Sequence, residues 1–199
     1  MGGHVNRIET LAETRRSEAI DILANAFRDH PMFPPDPTGR RSRLMPAAIF
    51  DAFADAPDAT LFGISRDDEL ACVAFVFADG YEPGGLALLW FLWRMVRVSG
   101  LQAYSTMARR VKSENYSSDE QRLELMMLGT RGSYQGQGLG RKMLRHLFDF
   151  ARERGYASVV LEVPKQTPAF RLYLSEGFEV EKEISLPIMP LCMMRRRLD

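Results

Sequence analysis

A mixed α/β fold, with helices flanking one central sheet of about six to seven strands, is what the 199-residue sequence predicts, and three observations predict it. Short apolar runs of strand length alternate with segments whose apolar residues recur at helical spacing. Strands interleaved with helices in that order form a sheet covered by helices rather than a bundle or a sandwich. The strongest local pattern, residues 122–154 (RLELMMLGTRGSYQGQGLGRKMLRHLFDFARER), runs strand, glycine-rich turn and amphipathic helix without a break. The whole chain, 1–199, is expected to be one domain, long enough for a substantial core.

Val5–Thr10 predicts a short first strand, and residues 14–28 a helix with Ala19, Ile20, Leu23, Ala24 and Phe27 on one face. The proline-rich stretch 31–37 breaks the chain. A second helix is expected over 39–53, then two strands, 59–66 and 70–78, joined as a hairpin by Asp67, Asp68 and Glu69. Residues 86–98 and 101–111 read as two helical pieces split at Ser99-Gly100, whose aromatic residues and methionines are expected to be ordinary core, a mobile lid being the other reading. Residues 123–128 are almost wholly apolar, as expected of a strand buried on both faces. Leu139, Met143, Leu144, Leu147, Phe148 and Ala151 then mark the inner face of the amphipathic helix. Residues 157–163 predict another buried strand, 167–175 a short helix, 177–180 the start of a strand, and 188–197 the last strand.

Composition excludes several classes. Twenty-six basic residues balance 26 acidic ones, which argues against a nucleic-acid binder held by bulk charge. The apolar run 84–93 is too short to span a bilayer, and no secretory pattern precedes residue 21, so a cytoplasmic protein without a membrane partner is expected. Cys72 and Cys192 each sit in an apolar run and read as buried free thiols. His4, His30 and His146 are scattered and form no metal spacing, so no metal is expected.

The turn Gln135-Gly136-Gln137-Gly138-Leu139-Gly140 opens the helix. Glycines let a ligand approach the main chain, and free amides backed by the helix dipole receive phosphate oxygens. A dinucleotide fingerprint would need glycine where Arg141 stands, and the Gly-Lys-Ser/Thr of a P-loop is missing. What is present resembles the Q/R-x-x-G-x-G/A signature of the GNAT superfamily of acyl-CoA-dependent N-acetyltransferases, met by Gln135, Gly138 and Gly140. The segment Gln166 to Phe178 is similar to that superfamily's N-x-x-A-x-x-L-Y-x-x-x-G-F pattern, with Gln166 where asparagine is usual. The resemblance covers about residues 121–178. It looks nearest to the puromycin-acetyltransferase-like small-molecule branch, although that branch favours His-Trp where this chain has Arg122-Leu123.

The resemblance implies acetyl-CoA as co-substrate and a central strand splayed from strand 157–163 to admit the pantetheine arm. It implies main-chain contacts from Leu128, Gly129 and Thr130 to the thioester end, a pyrophosphate on Gln135, Gly136, Gln137, Gly138, Leu139, Gly140 and Arg141, and a further contact from Gln166. Tyr173 matches the tyrosine that protonates the leaving thiolate; packing of its helix onto the sheet is the other reading. Glu124, the only acid in its apolar strand, is expected either to take the proton of the amine or to pair with Arg122 or Arg109. The acceptor is expected to be a small-molecule amine attacked directly in a ternary complex. A protein or peptide acceptor, a CoA-binding sensor without turnover, and a homodimer stay open.

Overall fold

The computed structural model describes residues 7–28, 39–99, 120–185 and 190–199. Among these, seven strands form one sheet in the order β1-β2-β3-β4-β5-β7-β6. They are β1 (Arg7–Thr10), β2 (Thr60–Arg66), β3 (Glu69–Ala78), β4 (Arg122–Thr130), β5 (Ser158–Pro164), β6 (Glu179–Ser185) and β7 (Pro190–Arg197). Five α-helices accompany them: α1 (Arg16–Ala26), α2 (Arg40–Ala52), α3 (Gly85–Ser99), α4 (Leu139–Glu153) and α5 (Pro168–Ser175). Neighbouring strands are antiparallel except β4 and β5, whose parallel pairing needs a crossover that α4 supplies. The expected mixed sheet is therefore present. The second helical piece, 101–111, lies outside the described residues, as do His4, His30 and Arg109.

Local chemistry accounts for the differences in element ends. The hairpin between β2 and β3 uses two turn residues rather than three, because Asp67 (φ 52°) and Asp68 (φ 64°) both adopt left-handed backbone and Glu69 already pairs with Arg66. That is the geometry whose twist matches the flanking strands, and aspartate tolerates it better than most side chains. Helix α5 begins where Thr167 caps it, its Oγ1 accepting from the Phe170 amide at 3.1 Å, with Pro168 at the first helical position.

Two apolar layers clamp the sheet. On one face α4 buries all six of its predicted residues against Val76, Leu123, Leu125, Val159, Leu161 and Met194. On the other, α1, α2 and α3 cover Phe75, Phe77 and Met127, with Phe53 stacked on Phe77 at 4.6 Å. Close-packed interiors do not refill lost volume. Leu147→Ala, which removes a fully buried side chain from α4, is expected to cost about 2–5 kcal/mol in denaturant unfolding; a loss well under 1 kcal/mol would mean that α4 is not seated on the sheet in this way.

Candidate active site

β4 differs from the doubly buried strand expected of it. Leu123, Leu125, Met127 and Gly129 are buried, while Arg122, Glu124, Met126, Leu128 and Thr130 are half-buried. Toward β3, Phe75 pairs with Met127 and Val76 with Leu125, so Met126 is an extra residue in a bulge. A bulge switches which face the following side chains take. Accordingly Leu123, Leu125 and Leu128 pack on the α4 side, and Met126 and Met127 on the side of α1 to α3. Toward β5 the ladder stops after Arg122–Ser158, Leu123–Val159 and Glu124–Val160. Beyond that point β5 runs on beside β7, and β4 runs on beside β3. The two strands thus splay apart, and the β5-facing edge of β4 from Leu125 to Thr130 has no partner strand among the described residues. Main-chain groups there are ready to pair with an extended ligand.

The other end of that edge leads into the glycine-rich turn. A 3₁₀ turn, Gly132–Tyr134, ends at Gln135, and Gly138 (φ 77°) caps α4 in the left-handed region that glycine adopts without strain. No side chain caps this helix. Its first intrahelical bond runs from the Lys142 amide to Gly138 O at 3.0 Å, which leaves the amides of Leu139, Gly140 and Arg141 pointing out of the helix start. With the dipole behind them they form an anion-receiving end. The turn is braced by side chains: the Gln135 amide donates to Thr130 O at 3.2 Å, Gln137 donates to Ser133 O at 3.1 Å, and Arg66 donates to the Gln137 side chain. Arg141 is occupied elsewhere, its Nε 2.5 Å from the buried Glu176 carboxylate, so its main-chain amide is the part left at the turn.

Tyr173 and Glu124 fall on opposite faces of the sheet. Tyr173 is buried in the α4-side cluster, edge-on to Phe178 at 5.5 Å. Burial first, then the nearby Cys72 thiol, push its phenol above the usual value, so the hydroxyl holds its proton. Glu124 pairs across the ladder with Phe77, whose side chain belongs to the α1–α3 face, and is half-buried there. Arg122, one of the two partners expected for Glu124, is engaged with Asp79 at 2.5 Å and with Glu181 at 3.9 Å. Gln166 is exposed at the end of β5 and takes a left-handed backbone (φ 67°). That conformation suits an asparagine better, a physical reason for the usual residue of that pattern.

Several supporting residues escape a reading of the sequence. Arg131, just past β4, donates to Leu70 O at 2.8 Å and pairs with Glu18 at 2.9 Å and Glu69 at 3.1 Å, tying α1 and the β2–β3 hairpin to the start of the turn. Glu176 anchors Arg141 and Arg145, and its carbonyl accepts from Arg196. The next residue, Gly177 (φ 83°), takes a left-handed backbone that suits glycine, and a Cβ there would come within 2.9 Å of Arg196 Nη1, which would have to shift. Cys72 accepts from Thr130 Oγ1 at 3.4 Å beneath the end of β4. Only alternation along β3, which turns Cys72 toward α4, signals its place. Both cysteines are buried and free. Among the described residues no helix is long and apolar enough to cross a membrane.

Comparison with known proteins agrees with this fold. Residues 26–178 match the model of the acetyltransferase (GNAT) family. A streptothricin acetyltransferase of Streptomyces lavendulae is 40% identical over 65 residues, 32% of this chain and 34% of that protein. The chain spans about a third of the length of the curated relatives it matches. A Corynebacterium glutamicum structure described as histone acetyltransferase HPA2 and related acetyltransferase superposes with a TM-score of 0.71 at 20% identity, covering 98% of this chain and 97% of that one. Another, yncA from Salmonella typhimurium, solved with its cofactor acetyl-CoA, gives 0.59 at 18% identity over 97% and 94% of the two chains.

Burial pushes the Cys72 thiol from 9.0 up to about 11, and Tyr173 is raised from 10.0. Both keep their protons in the fold at a pH where the unfolded chain releases them. Their contribution is thus fully present below pH 9 and is lost as pH rises through the folded values. Unfolding free energy should fall between about pH 9 and pH 11; denaturant melts giving a flat profile there would contradict this burial.

Proposed function

The chain belongs to the acetyltransferase (GNAT) family, and from that membership we propose that it moves an acetyl group from acetyl-CoA to a primary amine of a small molecule by direct attack in a ternary complex. The observation that carries this reading is the early end of the β4–β5 ladder at Glu124–Val160. It leaves a strand edge beside an uncapped helix start, the two features that a pantetheine arm and a pyrophosphate require.

The residues fit the co-substrate. Main-chain groups of Leu128, Gly129 and Thr130 hold the thioester end, and amide donors aimed at the carbonyl oxygen stabilise charge as it grows there. The main chain of Gln135 to Arg141 holds the pyrophosphate, and Gln166 adds a contact. Acetyl-CoA supplies an activated acyl carbon and a leaving thiolate. Tyr173 gives the proton that this thiolate takes; a phenol of ordinary pKa, about 10, is already protonated in the neutral range, and burial makes it a weaker acid, so donation depends on the thiolate forming directly beside the hydroxyl. A simple alkylamine is mostly protonated at neutral pH, with a pKa of about 10.4, and Glu124, half-buried on the α1–α3 face, is the group that removes that proton. Co-substrate and acceptor enter from opposite faces and meet in the gap, which brings the reacting atoms together without an acyl-enzyme. The small-molecule acceptor rests on the likeness to the puromycin-acetyltransferase-like branch and to the streptothricin acetyltransferase.

Thiol release from acetyl-CoA in the presence of a panel of small amines and peptides tests the reading. Turnover with small amines supports it, turnover with peptides alone overturns the acceptor class, and tight CoA binding without release overturns the enzyme. Tyr173→Phe is expected to lower kcat at least tenfold while the Kd for CoA stays within about threefold; equal loss of both would reduce the tyrosine to packing. Gly136→Asp sets a carboxylate in the turn at a left-handed position (φ 75°) with nothing within 4 Å of the new Cβ. CoA affinity should drop more than tenfold because the new charge repels phosphate at the helix start, while the strained left-handed backbone should lower the melting midpoint by only about 2–4 °C. Unchanged affinity by calorimetry would place the pyrophosphate elsewhere.

A further inference from the structure

Helix α3 is apolar on its inner side and along most of its outer side, Arg94 and Arg97 being its only charged residues. Its inner side buries Phe91 and Val98 in the cluster shared with α2 and β3. Its outer side carries Leu86 (77% exposed), Leu89 (63%), Trp90 (58%), Trp93 (51%) and Val96 (37%). Those positions recur at three and four residues and make one continuous stripe. Together they leave roughly 600 Å² of apolar surface in water, at the top of what a monomer shows. That is close to the per-partner share of about 800 Å² in a standard interface. A helix of this kind is covered in its working state.

Charge selects the occupant. Arg97 lies over Trp93 at 4.7 Å, and Arg94 lies over Trp90 at 5.4 Å while pairing with Asp51. Glu82 is exposed three residues ahead of the helix. The stripe is centred on position 91. In an antiparallel pair about that centre, Arg97 faces position 85 of the other copy, within a helical turn of the partner's Glu82. Opposite charges then meet at both ends, and the two helix dipoles run in opposite directions. Beside the stripe a cavity of about 110 Å³, lined by Asp51, Ala87, Trp90, Phe91 and Arg94 among others, is too small for a ligand pocket. It suits a side chain of an opposing helix. An anionic lipid surface fits less well: the chain has zero formal net charge, Arg94 is already paired, and Glu82 would be repelled.

We propose that α3 is a self-association surface, through which two copies of this chain pack by antiparallel α3 helices across a two-fold axis near Phe91. Sedimentation velocity on the full chain, from about 1 to 100 µM, tests it by mass action. Wild type is expected at twice the chain mass at the upper end and to dissociate on dilution. The Leu89→Glu/Trp93→Glu variant should be monomeric with unchanged circular dichroism and melting midpoint. Glu82→Arg and Arg97→Glu should each weaken the dimer more than about tenfold, because the two-fold axis makes either substitution break both charge pairs, and together restore it. The proposal is overturned by a wild type monomeric throughout, by a variant that stays dimeric, or by a charge pair that fails to rescue. A variant that loses its fold also overturns it, since the stripe would then be covered within one chain. So does wild-type chain that co-sediments as monomer with phosphatidylglycerol vesicles.

Discussion

The constraint on which the site depends is the termination of one parallel ladder. Hydrogen bonding between β4 and β5 ends at Glu124–Val160, although both strands continue. Each strand is held in place from its other side, β4 by β3 and β5 by β7, so both persist while their facing edges part. The bulge at Met126 re-aims β4 where the ladder ends. The result is a slot between the two strands, with the main chain of β4 along one edge.

Rigidity around the slot comes from charged side chains placed where they are half-covered. Arg131 ties Glu18 of α1 and Glu69 of the hairpin to the end of β4, and Glu18 also accepts from the Leu70 amide at 3.1 Å. The neighbouring arginines, after offsetting its partial burial, hold the Glu18 carboxyl below its usual range. Glu176 does the same work for α4 and α5 through Arg141 and Arg145. Loops that approach phosphate groups work best when supports of this kind fix their backbone.

Much of this was legible in the sequence because it is local. The six inward residues of α4 and the glycine turn all lie within a few residues of what they act on. The insertion of β7 between β5 and β6 was not legible, since it follows from pairing between segments far apart in the chain. The bulge at Met126 escaped for a related reason: apolar residues run without a break from Leu125 to Leu128, so periodicity has nothing to register. Arg141 shows the limit most plainly. Its position in the turn suggests a phosphate ligand, yet its guanidinium pairs with Glu176, 35 positions onward. Cys72 and Tyr173 likewise come together only through the stacking of α5 on the sheet.

Amide hydrogen exchange with and without saturating CoA is the most direct measurement of whether the slot and the helix start are used together. Protection confined to the β4 edge from Leu125 to Thr130 and to the amides from Gly136 to Arg141 is the predicted result. Unchanged exchange in those two stretches, or protection concentrated elsewhere on the chain, would contradict it.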